Sequence, residues 1–212
     1  MHRNRSRELD RGVFLAFEGI DGAGKTTQAL RLQERLLGWG LEAVYVKEPT
    51  NGLWGSKIKR IAENGRDGVS PREELDYFIQ DRAEDVRDNI APALASRKAV
   101  VADRYFYSTI AYQSALGLDP EEIRGLNAPF PVPDLVFLLE IPPELSQVRI
   151  TRHRGQQANK GYEQLDFLRR VKAAFDRLTD DNLVRLDGDQ APEAIEASIW
   201  LRVHGLLSDR LV

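Results

Sequence analysis

Apolar residues gather in five short runs along the chain, and more polar stretches separate these runs. Each run is four to six residues long, as expected of strands buried on both faces of a sheet. The runs are residues 13–17, 43–46, 98–102, 134–139 and 183–186. Strands that alternate with helices predict a three-layer α/β fold, with a five-stranded parallel sheet covered by helices on both faces.

Apolar positions at three- and four-residue spacing predict the helices between these strands. The clearest start is at Ser70, Pro71 and Glu73, which form a capping box with proline at the first helical position. This helix should continue to Pro92, which should kink or end it. Other helices are expected over residues 27–37, 56–63, 108–113, 142–155, 165–178 and 192–207, and a short one from Asp119.

Composition adds limits rather than a function. The 212 residues fit a single domain, and a net charge of −3 gives no basic field for nucleic acid. The absence of cysteine excludes disulfides and thiolate metal sites. The three histidines are too scattered in the sequence to show metal-ligand spacing. Residues 1–11 are expected to form a flexible tail. No apolar run approaches membrane-spanning length, so a cytoplasmic protein is expected.

The first strand leads into the phosphate-binding pattern GxxxxGKT, which is the most specific motif of the chain. A strand precedes it and a helix follows it, which is the setting that this motif requires and which disfavours a ligand-free glycine loop. Lys25 can reach the β- and γ-phosphates of a nucleotide, and Thr26 is placed to bind Mg²⁺. The residues expected to contact ATP are Gly19, Gly22, Ala23, Gly24, Lys25, Thr26 and Thr27.

Charged residues also follow the second and third strands, where open α/β sheets bind their ligands. Lys47 and Glu48 end the second strand. Asp103 ends the third, where a carboxylate can hold Mg²⁺ through water, and the adjacent Arg104 suits bidentate phosphate binding. The following helical stretch carries hydroxyl and amide groups that could read a nucleotide base, including Ser108 and Gln113.

Two other features leave alternatives open. Phe78 and Arg82 are four residues apart and share a helix face, so they could stack on a base and bind its edge. Their spacing alone favours a core phenylalanine and a solvated arginine. The basic residues Arg152 and Arg154 lead into a polar stretch, so residues 152–161 are equally well explained as a phosphate-closing lid or as a solvated helix end.

Several blocks taken together resemble the thymidylate kinase family. They are FEGIDGAGKTT at 17–27, KEP at 47–49, Phe78 with Arg82, DRY at 103–105, Ser108, AYQ at 111–113, PDL at 133–135 and YE at 162–163. The resemblance implies a P-loop kinase that transfers the γ-phosphoryl group of ATP to dTMP, giving dTDP and ADP. It also implies Mg²⁺ as the cofactor and a homodimer.

The resemblance assigns a role to each matched residue. Arg104 would bind the acceptor phosphate with Asp103 near the metal, and Lys25 would hold the ATP phosphates. Phe78 would stack on thymine while Arg82 binds its edge, which reverses the interpretation from spacing alone. The implied substrate contacts are Asp21 on the 3′-hydroxyl, Tyr105 on the sugar, Ser108 and Gln113 on the base, together with Lys47, Glu48, Phe78, Arg82 and Arg104.

The chain departs from the family pattern in two places. Lys47 stands where the family usually has arginine, so the charge is kept but the bidentate fork is lost. Gly161 stands where the lid often has arginine, so Arg152, Arg154 or Lys160 would have to supply the catalytic cation. These departures leave two alternatives: a related P-loop kinase with another nucleotide or nucleoside acceptor, and a nucleotide-binding regulatory module with little turnover.

Overall fold

The computed structural model describes residues 7–66, 68–154 and 164–212. These residues form one five-stranded sheet in the order β2-β3-β1-β4-β5, and every strand pairs with its neighbours in parallel. The strands are β1 Val13–Glu18, β2 Ala43–Lys47, β3 Ala99–Asp103, β4 Leu135–Glu140 and β5 Leu183–Asp187. The predicted sheet is confirmed, and the apolar runs locate each strand to within about one residue.

The helices fall between the strands as the periodicity predicts. They are α1 Lys25–Gly38, α2 Leu53–Asn64, α3 Pro71–Asp85, α4 Ala91–Ala95, α5 Phe106–Ser114, α6 Pro120–Asn127, α7 Pro143–Arg154, α8 Leu165–Asp176 and α9 Pro192–Ser208. The Ser70 side chain accepts a hydrogen bond from Glu73 N–H, as the capping box requires. In the described part of the chain, no helix combines the length and the apolar character needed to cross a bilayer.

The strand order and the handedness of the crossovers fix the layers. The connection from β1 to β2 runs in one direction across the sheet, and the later connections run in the other. Because such crossovers are right-handed, α1 lies on one face and the helices between β2 and β5 lie on the opposite face. The contacts agree, since α9 packs on α1 while α5 packs against α3 and α8.

The central strands are buried on both faces, which explains why their sequences are apolar up to the last residue. Every residue of β1 and of β3 is buried. In the sheet register Phe17 and Lys47 both lie beside Asp103. The carboxyl ends of β1, β2 and β3 are therefore level, and the segments that follow them meet at one edge of the sheet.

Two details differ from the sequence predictions. Residues 7–10 are not a free tail: Arg7 N–H bonds to Gly40 O, Leu9 is buried, and Leu9 forms an antiparallel bridge with Leu211. Residues 1–6 lie outside the described part. The long helix expected to run to Pro92 ends as an α-helix at residue 85, and a π-helical turn (residues 86–90) joins α3 to α4. Pro92 therefore lies in the first turn of α4, where the backbone N–H group that proline lacks is not needed for the α-helix.

Candidate active site

A cavity of about 540 Å³ lies at this edge of the sheet. The P-loop, the ends of β2 and β3, and the five helices α1, α2, α3, α5 and α7 line it. The lining residues are Asp21, Gly22, Gly24, Lys25, Thr26, Thr27, Lys47, Glu48, Pro49, Ile58, Lys59, Ala62, Phe78, Asp103, Arg104, Ser108, Tyr112, Arg149 and Ile150. Gly19 and Ala23 belong to the same loop but do not line the cavity.

The P-loop has the backbone that phosphate binding needs. Gly24, the residue before α1, has a φ of 97° and no side-chain cap, so the first N–H groups of α1 are available to an anion. Gly19 has a φ of 135°, and an added Cβ there would lie 2.4 Å from the carbonyl oxygen of Leu139. Lys25 Nζ donates a hydrogen bond of 2.8 Å to Ile20 O. Burial, reinforced by Arg104, lowers the pKa of Lys25 to about 8.

Asp103 gathers donors at the end of β3. Thr26 Oγ1 donates a short hydrogen bond to Asp103 Oδ2, and Tyr45 OH donates to the same oxygen at 3.1 Å. Lys47 Nζ lies 3.0 Å from this oxygen and 3.2 Å from Thr26 Oγ1. Burial opposes the charge on Asp103, but the attraction of Lys25, the Thr26 hydrogen bond and the charges of Lys47 and Arg104 outweigh burial and hold the pKa of Asp103 below its usual range. The site thus presents a carboxylate and a hydroxyl oxygen side by side.

Arg104 is held in place before any ligand binds. It has a φ of 75°, which is rare for a residue with a side chain. Its guanidinium donates to Gly19 O at 3.1 Å, to Ser108 Oγ at 2.8 Å and to Asp21 Oδ1 at 2.6 Å. It also lies over the Tyr112 ring, at 5.1 Å from the centroid. These contacts fix a delocalised cation on the cavity wall.

Phe78 and Arg82 share α3 but do different things. Phe78 is partly buried and lines the cavity, so its ring is available to a base. Arg82 is 1% exposed and does not line the cavity. Its guanidinium donates to both carboxylate oxygens of Glu48, and also to Asn127 Oδ1 and Thr109 Oγ1. The prediction that spacing alone favoured is wrong for Arg82, which is buried rather than solvated.

The comparison with known proteins decides the family. The thymidylate kinase family profile matches residues 17–199. The chain belongs to the thymidylate kinase family. A thymidylate kinase of Desulfotalea psychrophila is 40% identical over 92% of this chain and 96% of that protein. A probable thymidylate kinase of Archaeoglobus fulgidus is 43% identical over 92% and 97%, and a thymidylate kinase of Xanthomonas oryzae pv. oryzae is 42% identical over 94% and 86%.

Three residues that the resemblance placed on the substrate are not on the cavity wall of this thymidylate kinase family member. Tyr105 is turned into the core, where its ring packs on Phe14 with 4.9 Å between centroids. Gln113 is fully buried, and Arg82 is bound by Glu48 as described above. The physical reason is shared: each side chain packs into the interior instead of the cavity, so a direct substrate contact would need it to move.

The expected lid lies mostly outside the described residues. Arg152 is on α7 but is exposed and does not line the cavity. Arg154 ends α7, and its side chain lies outside the described part, as do Lys160 and Gly161. The predicted lid cation thus stays a prediction.

Sequence reasoning missed three polar residues of the cavity wall, which are Lys59, Tyr112 and Arg149. Arg149 donates to Gly188 O at 3.0 Å and to Asp189 Oδ1 at 2.9 Å, which brings α7 against the loop after β5. Tyr112 OH accepts a hydrogen bond from Arg104 at 3.3 Å. The spacing could have indicated Tyr112, because it lies one helical turn beyond Ser108 on the same face of α5. Arg149 was part of the basic cluster on α7, but nothing in the sequence distinguished it from its neighbours.

Proposed function

We propose that this chain transfers the γ-phosphoryl group of ATP to dTMP, giving dTDP and ADP. One observation carries the proposal: the phosphate-binding end of α1 and the fixed guanidinium of Arg104 face the same cavity. Two phosphate-binding groups in one cavity suit a donor and an acceptor that exchange a phosphoryl group. The family assignment favours this activity over another acceptor or a regulatory module without turnover.

The donor side is formed by α1 and the loop before it. The N–H groups at the start of α1, together with the ammonium of Lys25, would bind the β- and γ-phosphates. Binding an anion next to Lys25 favours its protonated form, so the nucleotide offsets the effect of burial. Arg149 lies on the same wall, where it can contact the nucleotide.

The residues at the end of β3 fit a magnesium ion carried by the nucleotide. Asp103 and Thr26 present hard oxygen ligands, and a cationic group, Lys47 Nζ, already lies within 3.2 Å of both. In the described residues no group of three or more His, Cys, Asp or Glu side chains could hold a metal without the nucleotide. Bound there, Mg²⁺ would neutralise charge that develops on the phosphates.

The acceptor side lies between Phe78 and Arg104. Phe78 offers an aromatic face to the base, and the Arg104 guanidinium would bind the phosphate by exchanging part of its present hydrogen bonds for it. Glu48 lines the same cavity as Phe78 and is paired with the buried Arg82. Arg82 would therefore affect base binding by positioning Glu48, or would bind the base only after leaving Glu48. Asp21, which accepts a hydrogen bond from Arg104, can also accept one from a sugar hydroxyl.

The chemistry asks for positioning and positive charge rather than for a proton acceptor. A phosphate monoester is already an adequate nucleophile, so no general base is assigned. The chain's contribution is to align the two phosphates and to exclude water. A homodimer and a cytoplasmic location stay predictions.

An ADP-release assay with ATP and Mg²⁺ tests the proposal, with dTMP, dUMP, UMP, CMP and thymidine as acceptors. Turnover is expected with dTMP well above the other four. Preference for another acceptor would change the identity of the substrate but not the fold or the phosphoryl-transfer chemistry. Binding of ATP without turnover on any acceptor would favour the regulatory module.

A further inference from the structure

Lys47 contacts the two oxygens that the proposed function assigns to Mg²⁺. Its Nζ lies 3.0 Å from Asp103 Oδ2 and 3.2 Å from Thr26 Oγ1. The Asp103 side chain is 1% exposed, whereas that of Lys47 is 50% exposed. One partner of this ion pair is therefore fixed in the interior, and the other is a flexible chain that reaches in from the cavity.

A metal ion and this ammonium compete for the same two side chains, directly at Thr26 and directly or through water at Asp103. Mg²⁺ binds oxygen at about 2 Å and demands a regular octahedral shell. An ammonium hydrogen-bonded to the same oxygen would be a few ångströms from a divalent cation, where like charges repel strongly in a partly buried site. We therefore expect binding of the metal to displace Lys47 from Asp103 and Thr26.

The displaced ammonium has one clear destination. Lys47 lines the same cavity as Arg104, the predicted acceptor-phosphate ligand. Its four-carbon stem and three rotatable donors allow it to turn toward an anion without moving the backbone of β2. The donor phosphates are bound by Lys25 and the N–H groups of α1, and the acceptor phosphate on Arg104 is the other anion that the proposed reaction brings into this cavity.

We propose that Lys47 exchanges between the metal-binding oxygens of Thr26 and Asp103 and the phosphate of the acceptor nucleotide. This proposal rests on the proposed function. Metal that arrives with the nucleotide releases Lys47, which then strengthens acceptor binding. By linkage, the acceptor strengthens binding of the metal–nucleotide by the same factor. Lysine at this position thus couples the two substrates.

Equilibrium binding tests the exchange without turnover. Calorimetric titration of dTMP is done with ADP and EDTA, and again with ADP and Mg²⁺, on the unaltered protein and on Lys47→Met. Mg²⁺ is expected to tighten dTMP binding by about tenfold in the unaltered protein, within the usual range of such coupling. In Lys47→Met the gain should fall to about twofold, from direct attraction alone.

A second titration isolates the metal. Mn²⁺ binding to the ADP complex, followed by electron paramagnetic resonance, should be several-fold tighter in Lys47→Met, because the competing ammonium is gone. A structural ion pair without exchange would give unchanged or weaker metal binding. Lys59→Met is the matched control, because Lys59 lines the cavity but bonds to Asn51 Oδ1 rather than to the metal oxygens.

The outcomes separate the two proposals. If dTMP binds and Mg²⁺ increases the affinity for dTMP equally in Lys47→Met and in the unaltered protein, the proposed exchange of Lys47 is wrong and the proposed function stands. If the unaltered protein binds no dTMP under either condition, the proposed function is wrong and the exchange with it. A smaller gain in Lys47→Met but not in Lys59→Met supports the exchange.

Discussion

Arg104 Nη2 donates a hydrogen bond of 2.6 Å to Asp21 Oδ1, which joins the segment after β3 to the P-loop. The two residues are 83 positions apart in the chain, and the pairing of β1 with β3 brings them together. Arg104 keeps a left-handed backbone in doing so. Such a conformation persists where surrounding contacts over-determine it, and here those contacts aim the guanidinium at the cavity.

Arg104→Lys should raise the KM for dTMP by about tenfold to a hundredfold. Lysine keeps the charge but loses the planar fork, and a hydrogen bond to a charged group contributes roughly 1.5–3 kcal/mol. Steady-state kinetics at saturating ATP measure the effect. Arg124→Lys is the control, since Arg124 pairs with Asp180 near the amino end of β5. An unchanged KM for dTMP in Arg104→Lys would show that Arg104 does not bind the acceptor phosphate.

Phe78→Ala should weaken dTMP binding by about 1–3 kcal/mol if the ring stacks on the base. Tyr77→Ala provides a matched control on the same helix. The Tyr77 ring packs on Trp54 at 5.6 Å between centroids and does not line the cavity. The KM for dTMP should therefore rise in Phe78→Ala and stay near its original value in Tyr77→Ala. Equal changes in both variants would indicate a general loss of helix packing instead of a stack.

One of Arg152→Ala, Arg154→Ala and Lys160→Ala should reduce kcat by at least about tenfold with little change in KM. A cation that acts only in the transition state has this kinetic signature. Single-turnover kinetics would separate this effect from product release. Arg170→Ala on α8 is the control, because the Arg170 guanidinium lies over the Phe167 ring. If none of the three lowers kcat, the lid-cation prediction is wrong, and Arg149 on the cavity wall becomes the candidate.

Glu18→Gln should change how stability depends on pH. Glu18 accepts hydrogen bonds from the backbone N–H groups of Tyr105 and Ser108, and burial raises its pKa above the ordinary 4.5, against the effect of the Ser108 hydroxyl and Arg104. At pH values just above 4.5, Glu18 therefore keeps its proton in the native state but has lost it in the unfolded chain. The free energy of unfolding should therefore fall as the pH rises above about 4.5.

Glutamine keeps the shape of the neutral carboxyl group and does not titrate. Urea unfolding at about pH 5 and about pH 8 should show Glu18→Gln gaining stability relative to the unaltered protein as the pH rises. Parallel pH profiles would mean that Glu18 is ionised in the native state throughout this range.

The sequence was informative about whatever is local or periodic. Strand β1, the P-loop and the start of α3 at Ser70 follow from short-range patterns, and the structure reproduces them. It was less informative about partners across the fold. Phe78 and Arg82 share a helix face, yet only one lines the cavity, because Glu48 and Asn127 bind Arg82 from 34 and 45 positions away. Spacing carries no record of such partners.

The contact between Lys47 and Asp103 shows the same limit. The pattern places both residues at strand ends, but their distance depends on β2 lying next to β3, and the apolar runs do not encode strand order. The π-helical turn at residues 86–90 was likewise missed, because one five-residue turn is too short to show a change of period in the sequence.

The strand order also has a consequence for the nascent chain. The first strand to be synthesised lies at the centre of the sheet, and the Phe14 N–H group bonds to Asp134, 120 residues later. At roughly 5–20 residues per second, a ribosome needs about 6–24 s to make that span. Until β3 is complete at Asp103, a strand that is apolar from Val13 to Phe17 has neither neighbour, so we expect early exposure of β1 to make the growing chain a client for chaperones that bind extended apolar segments.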